Sequence, residues 1–157
     1  RKAHPGYDNI LSFMNAATDA LLFTQTFTVL AEAAGLGTCF LGTTVYMPQM
    51  IIDTLHLPQL VMPVATLTVG WPDEKPAQTD RLPLRSIVHS ETFDDYTPEK
   101  IDDFYAEKEE LEENKEFVRT NQVETLAQVF TDIRYTKKDC EAMSTGFMEA
   151  LRKQGFI

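Results

Sequence analysis

The sequence predicts a mixed domain of helices and strands, of the α+β class, with a mainly helical C-terminal part. Three observations support this prediction. Apolar residues recur every three or four positions between Ser12 and Ala34, short apolar segments bounded by glycine follow, and most of the net charge lies after residue 90. With 157 residues, of which 43% are hydrophobic, the chain can bury one sizeable core.

Charge divides the chain into two segments. The 24 acidic residues outnumber the 14 basic ones, so the formal net charge is −10. Residues 1–90 contribute −2 (seven acids, five bases) and residues 91–157 contribute −8 (17 acids, nine bases). We expect the core in the first segment and a solvated, mostly helical second segment. Lys and Arg form no basic stretch, which argues against a nucleic-acid partner, and no apolar run reaches the roughly 20 residues of a membrane span.

The first predicted element is a long, largely buried helix. Neither proline nor glycine interrupts it, Ser12 is placed to cap its N-terminus, and Gly35 stands where a left-handed residue would end it. The apolar segment Thr38-Cys39-Phe40-Leu41-Gly42 then predicts a brief strand, in which Cys39 is expected to be a small buried hydrophobe.

A short helix and a second strand are expected next. Pro48 can occupy the first turn of a helix that Pro58 closes. The β-branched, apolar run from Leu60 to Val69 predicts a buried strand, and Pro63 within it argues for an edge position or the strand's first turn. Trp71, which follows this strand, is expected to cap the core.

The remaining chain is a loop followed by helices. Residues 72–85 form a proline-containing loop, and residues 87–89 are expected to be a short extended piece. Thr97 and Pro98 supply a cap and a first-turn proline for a helix. Two more helices are predicted, at 118–130 and 138–154, the last stopped by Gly155.

No residue is predicted to be catalytic and no metal site is expected. The chain contains no phosphate-binding GKS/T loop, no dinucleotide GxGxxG and no Ser-His-Asp order. Cys39 and Cys140 lie a hundred residues apart, which matches neither a zinc site nor a disulfide scaffold. None of the three histidines has a useful partner nearby in sequence.

One constellation could contact a ligand. The small residues and glycines of Glu32-Ala33-Ala34-Gly35-Leu36-Gly37-Thr38 would let the backbone approach a flat molecule closely, and a guanidinium of the loop Arg81-Leu82-Pro83-Leu84-Arg85 could bind a phosphate in a bidentate way. Each feature also has a structural explanation: a helix end followed by a strand needs such glycines, and a loop arginine commonly pairs with a nearby acid such as Asp80 or Asp73.

The order and spacing of several motifs resemble the C-terminal half of the nitroreductase, or NAD(P)H:FMN oxidoreductase, family. The resemblance covers residues 19–89. Its segments are Asp19-Ala20, Glu32-Ala33-Ala34-Gly35-Leu36-Gly37-Thr38-Cys39, Leu57-Pro58, Pro63-Val64, Val69-Gly70-Trp71-Pro72 and Arg81-Leu82-Pro83-Leu84.

The resemblance implies a central antiparallel sheet flanked by helices, in an intertwined homodimer that holds FMN at the subunit interface. It places Ala34, Gly35, Leu36 and Gly37 beside the isoalloxazine ring, with backbone groups facing the polar edge of the ring, and Arg81 on the FMN phosphate. The chain departs from some members just before Arg81, where Gln78, Thr79 and Asp80 replace a second basic residue.

The resemblance also implies how the chain is organised. Residues 1–90 correspond to the C-terminal part of an FMN domain whose N-terminal part is absent, so we expect a fragment or processed product. Residues 91–157 would be an acidic helical extension that packs on the same domain or on the partner subunit. The segments expected to wrap the partner lie around Phe104, Tyr105, Phe117 and Phe130.

The implied function is a cytoplasmic FMN-dependent oxidoreductase. It would pass reducing equivalents from NAD(P)H through flavin N5 to a nitroaromatic, a quinone or a similar small acceptor. One alternative is a non-catalytic dimeric module, either flavin-binding or flavin-free. Another is an α+β domain in which the glycines and Arg81 have purely structural roles.

Overall fold

The computed structural model describes residues 2–157 and divides the chain into two compact units. The first unit runs to Lys75 and includes Lys138–Ile157, and the second is Pro76–Lys137. Six α-helices and two antiparallel strands within this described part confirm the α+β class. The boundary predicted after residue 90 lies inside the second unit, so the compact units do not coincide with the two predicted segments. The division into part of an FMN domain and a helical extension stays a prediction.

The first helix, α1, spans Ile10–Ala33. Its N-cap is Asn9 rather than Ser12: the Asn9 side chain accepts a hydrogen bond from the Ser12 backbone N–H at 2.9 Å. Asn is as good a cap as Ser, and the helix therefore starts one turn earlier than the apolar pattern indicated. Gly35 ends the helix with φ of +85°, as predicted.

The prediction that α1 is largely buried is wrong. Phe13, Thr28 and Ala31 are its buried residues, whereas large apolar side chains such as Leu22 and Phe23 are exposed. Apolar residues all around a helix indicate that its surface favours burial, but they do not show whether residues of the same chain bury it. The first unit covers one side of α1 only.

Strand β1 (Gly37–Leu41) pairs antiparallel with strand β2 (Thr66–Gly70), with Gly37 opposite Gly70 and Leu41 opposite Thr66. Strand β2 starts later than the predicted Leu60 because Pro63 cannot donate to a ladder and the residues before Thr66 do not pair. Beyond β1, the hydroxyls of Thr44 and Thr66 hydrogen-bond at 2.8 Å, which ties the following turn to β2.

Three burial predictions for this region are wrong. Cys39 is exposed, β2 is half-buried at its start and exposed at its end, and Trp71 is 83% exposed. The cause is the size of the sheet: two strands have too few neighbours to cover both faces, so side chains that a larger sheet would bury stay exposed.

Helix α2 (Pro48–Leu55) connects the two strands, with Pro48 in its first turn as predicted, and left-handed His56 ends it before Pro58. The C-terminal helix α6 (Lys137–Lys153) ends before Gly155, whose φ of +82° confirms the predicted stop. The backbone N–H of Leu60 donates to the Gln154 carbonyl at 2.9 Å, which attaches the end of α6 to the segment after α2.

The core of the first unit joins α1 to the C-terminal segment. The Phe13 ring packs edge-to-face against Phe147 and Phe156, with centroids 6.0 and 5.3 Å apart, and Leu151 is 2% exposed beside them. Part of the predicted C-terminal extension therefore packs on the residues that precede it in the same chain.

The second unit is helical. Helix α3 (Pro98–Glu109) begins as predicted, since the Thr97 hydroxyl accepts from the Lys100 N–H. Helix α4 is Glu112–Asn121 and ends at left-handed Gln122, so the helix predicted at 118–130 is wrong. A capping box of Thr125 and Gln128 starts a new short helix, α5 (Leu126–Gln128), which continues into a π-helical turn, Val129–Arg134. Residues 87–89 form no strand.

Replacing Gly35 with alanine is expected to lower the free energy of unfolding by about 1–2 kcal/mol, because an L-residue pays that cost in the left-handed region. Gly70→Ala is the matched control: φ of Gly70 is not in that region, and a Cβ there meets nothing within 4 Å. Urea unfolding followed by circular dichroism measures both. Equal stability of the two variants would contradict the prediction.

Candidate functional site

The predicted ring-contacting segment, 34–37, lies where α1 passes into β1. The N–H groups of Gly35 and Leu36 donate to the carbonyls of Glu32 and Ala31, at 2.9 and 3.0 Å. These bonds close the helix and leave neither N–H free for a ligand. Ala34 and Gly35 are exposed, so this segment offers a ligand a small-residue surface rather than hydrogen-bond donors.

Gly37 has a structural cause of its own. A Cβ at this position would lie 3.3 Å from the Cβ of Pro72, so the absence of a side chain lets β1 pass closely by the segment after β2. Near the same corner, the Thr38 hydroxyl donates to Glu32 Oε1 at 2.9 Å and links the end of α1 to β1. Contact of this corner with a ring stays a prediction.

Arg81, the predicted phosphate ligand, lies in the second unit and is exposed. Its Nη1 donates to the Asp80 carbonyl at 3.0 Å and to the Thr79 hydroxyl. No carboxylate pairs with Arg81 among residues 2–157, since the Asp80 carboxylate binds Lys108 instead. The guanidinium is therefore held by its own loop while its charge is not neutralised by an ion pair.

The contact between Asp80 and Lys108 is a feature that sequence reasoning missed. It joins the loop that carries Arg81 to α3, and the hydrogen bond from Lys108 lowers the pKa of the Asp80 carboxyl below its usual value. The carbonyl of Lys108 in turn accepts from the Asn114 side chain at 2.8 Å. The sequence contains no signal for this pair, because the two residues are 28 positions apart and neither belongs to a recognisable motif.

Aromatic residues expected to wrap a partner subunit make contacts inside the second unit. Phe104 lies beside Tyr96, with ring centroids 6.4 Å apart, and Arg85 stands over the Phe104 ring at 5.7 Å. The Arg134 guanidinium lies 4.3 Å from the Phe117 ring centroid and 6.0 Å from that of Phe130. Contact of the same segments with a second subunit stays a prediction.

Residues 2–157 contain neither a membrane-spanning helix nor a metal-binding cluster. No helix among them combines the length and apolar character needed to cross a bilayer. No three side chains of His, Cys, Asp or Glu type are grouped so that they could hold a metal ion.

Comparison with known proteins gives relatives with a consistent description. No protein-family model matches the chain. The FMN reductase [NAD(P)H] of Bacillus subtilis is 38% identical over 82 residues, which make up 52% of this chain and 33% of that relative. The chain thus spans about a third of the length of this curated relative.

Solved structures share the fold over nearly the whole chain. A Bacteroides fragilis protein assigned as an oxidoreductase is 61% identical, with a TM-score of 0.96, and the match covers 100% of this chain and 64% of that one. NfrA2 of B. megaterium is 32% identical, with a TM-score of 0.74, and the match covers 98% of this chain and 60% of that one. Both solved chains extend beyond the part that this chain matches.

Proposed function

We propose that this chain, which belongs to the nitroreductase family and covers part of its domain, forms part of an FMN-dependent oxidoreductase that uses NAD(P)H. The observation that carries the proposal is the similarity to the FMN reductase of B. subtilis over 82 residues. The redox chemistry would be that of bound FMN, which takes up reducing equivalents from NAD(P)H and passes them on. The acceptor we propose is a nitroaromatic, a quinone or a similar small molecule.

The residues of this chain would bind and orient the cofactor. Arg81 fits a phosphate group, because its guanidinium is exposed, fixed by its own loop and without a carboxylate partner among the described residues. We assign the segment 34–37 to apolar contact with the isoalloxazine ring, made by the exposed surface of Ala34 and Gly35. The N–H groups of Gly35 and Leu36 are used in the helix cap and take no part in this assignment.

The proposal includes a homodimer and a cytoplasmic location. Leu11, Leu22 and Val29 are exposed on α1 at separations of eleven and seven residues, close to whole numbers of helical turns, so they lie on one face. Such an apolar stripe favours burial against a second copy. Cys39 is exposed and forms no disulfide, which fits a reducing compartment.

A non-catalytic, flavin-free or flavin-binding module is the second candidate. It is favoured by the engaged N–H groups of Gly35 and Leu36, since these residues offer a flavin no hydrogen-bond donor. Stoichiometric FMN binding without oxidation of NADH or NADPH, in the presence of a quinone or a nitroaromatic, would support this candidate against the enzyme.

Replacing Arg81 with alanine is expected to weaken FMN binding by about ten- to a hundredfold, since a charge-assisted hydrogen bond contributes about 1.5–3 kcal/mol. Titration of the protein into FMN, followed by flavin fluorescence, measures the dissociation constant. Arg119→Ala is the matched control, because Arg119 is exposed in the same unit and paired with Glu116. Unchanged FMN affinity in Arg81→Ala would show that Arg81 does not bind the FMN phosphate. If the unaltered chain did not bind FMN, the proposal that this chain binds the cofactor would be rejected.

A further inference from the structure

A separate cavity of about 240 Å³ lies within the second unit, between the turn after Pro83 and the start of α3. Its polar wall includes Arg85, Lys100, Ser90 and Thr92. The remaining lining residues are Val88, Asp94 and three with rings: His89, Tyr96 and Phe104. The Tyr96 hydroxyl donates to the Ser86 carbonyl at 2.9 Å, which fixes this wall in place.

Two cations lie side by side on the wall of the cavity. Arg85 and Lys100 line it, and each is paired with one carboxylate, Asp103 and Asp94, both of which are largely exposed. Two neighbouring cations can contact a single anion together.

Most polar groups on the wall are hydrogen-bond donors. Nε and Nη2 of Arg85 reach Asp103 at 3.3 and 3.0 Å, while Nη1 has no partner within residues 2–157. The side-chain hydroxyls of Ser90 and Thr92 have none within the same range. The Nδ1 atom of His89 accepts the Asp94 backbone N–H at 3.2 Å, which leaves Nε2 as the ring nitrogen that can donate.

The carboxylates beside the two cations can be displaced at low cost. Lys100 binds Asp94 at 2.5 Å and Arg85 binds Asp103 at 3.0 Å, but the two carboxylate side chains are 74% and 64% exposed. Ion pairs exposed to this extent contribute little free energy, so an incoming anion with higher charge can replace the carboxylates while they return to solvent.

We propose that this cavity binds a phosphate group through Arg85 and Lys100, with Ser90 and Thr92 as further donors. A phosphate has several terminal oxygens that can accept from both cations at once, which a single carboxylate does less well. A volume of about 240 Å³ is below the range of about 300–1,000 Å³ usual for larger ligands, so the cavity takes the phosphate group and not a whole dinucleotide. The proposal does not depend on FMN binding and uses none of the residues assigned to FMN.

The test is a titration of the unaltered chain with inorganic phosphate at constant ionic strength, followed by the backbone amide signals of residues 85–104 in NMR spectra. Saturable shifts of these signals are expected. The double variant Arg85→Gln/Lys100→Gln is expected to bind phosphate at least about tenfold more weakly. Lys115→Gln/Arg119→Gln, which removes two paired cations of the same unit that do not line the cavity, should bind as the unaltered chain does.

Two results would overturn the proposal: no saturable binding by the unaltered chain, or an equal loss in both double variants. Should the first double variant fail to fold, Ser90→Ala/Thr92→Ala removes only two exposed hydroxyls and one methyl group and is expected to weaken binding several-fold. Adenosine monophosphate identifies the source of the group. Binding tighter than that of inorganic phosphate indicates a nucleotide phosphate, and equal binding indicates free phosphate. Arg81→Ala should leave this titration unchanged, which separates failure of this site from failure of the FMN proposal.

Discussion

Replacing Phe13 with alanine is expected to lower the free energy of unfolding by about 3–5 kcal/mol, the largest effect of any single substitution considered. Phe13 is buried where α1 meets the C-terminal segment, and its ring contacts Phe147 and Phe156 edge-to-face. The variant loses the transfer free energy of the ring and leaves a cavity between segments that are far apart in sequence. Because stability of a natural domain totals about 5–15 kcal/mol, this loss is a large fraction of the whole.

Urea unfolding at a fixed protein concentration, followed by circular dichroism, measures the effect. Phe93→Ala is the matched control: Phe93 is 68% exposed, and its ring lies beside those of His89 and Tyr96 at centroid distances of 4.6 and 5.9 Å. We expect a loss of about 1 kcal/mol or less there. If Phe13→Ala cost no more than Phe93→Ala, the core described for the first unit would not be what holds α1 to the C-terminal segment.

Introducing glutamate at Leu22 and Val29 is expected to convert the proposed homodimer to monomer. Leu22 is 63% exposed and Val29 57% exposed, and both lie on the apolar stripe of α1. Two copies that met along this stripe would have to bury four uncompensated carboxylates, and burying an unpaired charge costs several kcal/mol. Light scattering after size-exclusion chromatography should give twice the chain mass of 17.8 kDa for the unaltered chain and the single mass for the variant.

Leu84→Glu is the control for a general effect of surface charge. Leu84 is an exposed apolar residue of the second unit, away from α1 in sequence, and we expect this variant to keep the mass of the unaltered chain. A monomeric unaltered chain would reject the homodimer, and a variant at Leu22 and Val29 that remained dimeric would place the contact elsewhere.

The ends of the helices show how local chemistry could be predicted. Gly35, Gly155 and the pair Thr97 and Pro98 have the roles that their residue types predict. Each role depends on the backbone of one or two residues, so neighbouring sequence is sufficient to assign it. The sequence predicts Ser12 as the N-cap of α1, whereas the observed cap is Asn9, three residues earlier. Both residue types are good caps, so the local sequence does not decide between them.

Burial was predicted less well, because it depends on residues that are distant in sequence. Cys39 and Trp71 have apolar neighbours in the chain, yet both are exposed, since two strands cannot cover the surface that a larger sheet would cover. The break between α4 and α5 has a similar origin in part: the backbone N–H of Leu126 donates to the Glu109 side chain at 3.1 Å, a contact across 17 residues.

For the candidate site, the sequence singled out Arg81 and the segment 34–37, and the tertiary structure decided what these residues have available. The exposed guanidinium of Arg81 keeps its charge because Lys108, distant in sequence, takes the neighbouring carboxylate. The N–H groups of Gly35 and Leu36 are hydrogen-bonded in the helix cap, and the position of Gly37 has little room for a side chain because Pro72 lies close to it.

The sequence by itself thus determined the α+β class, the order of the main helices and strands, the resemblance to the nitroreductase family and several helix ends. These depend on periodicity, on backbone preference and on the spacing of motifs, all of which are readable along the chain. The tertiary structure alone decided which apolar side chains are covered, which charges are paired and where Arg85 and Lys100 share a cavity. Those properties depend on contacts between distant residues, whose free energies appear only once the chain has folded.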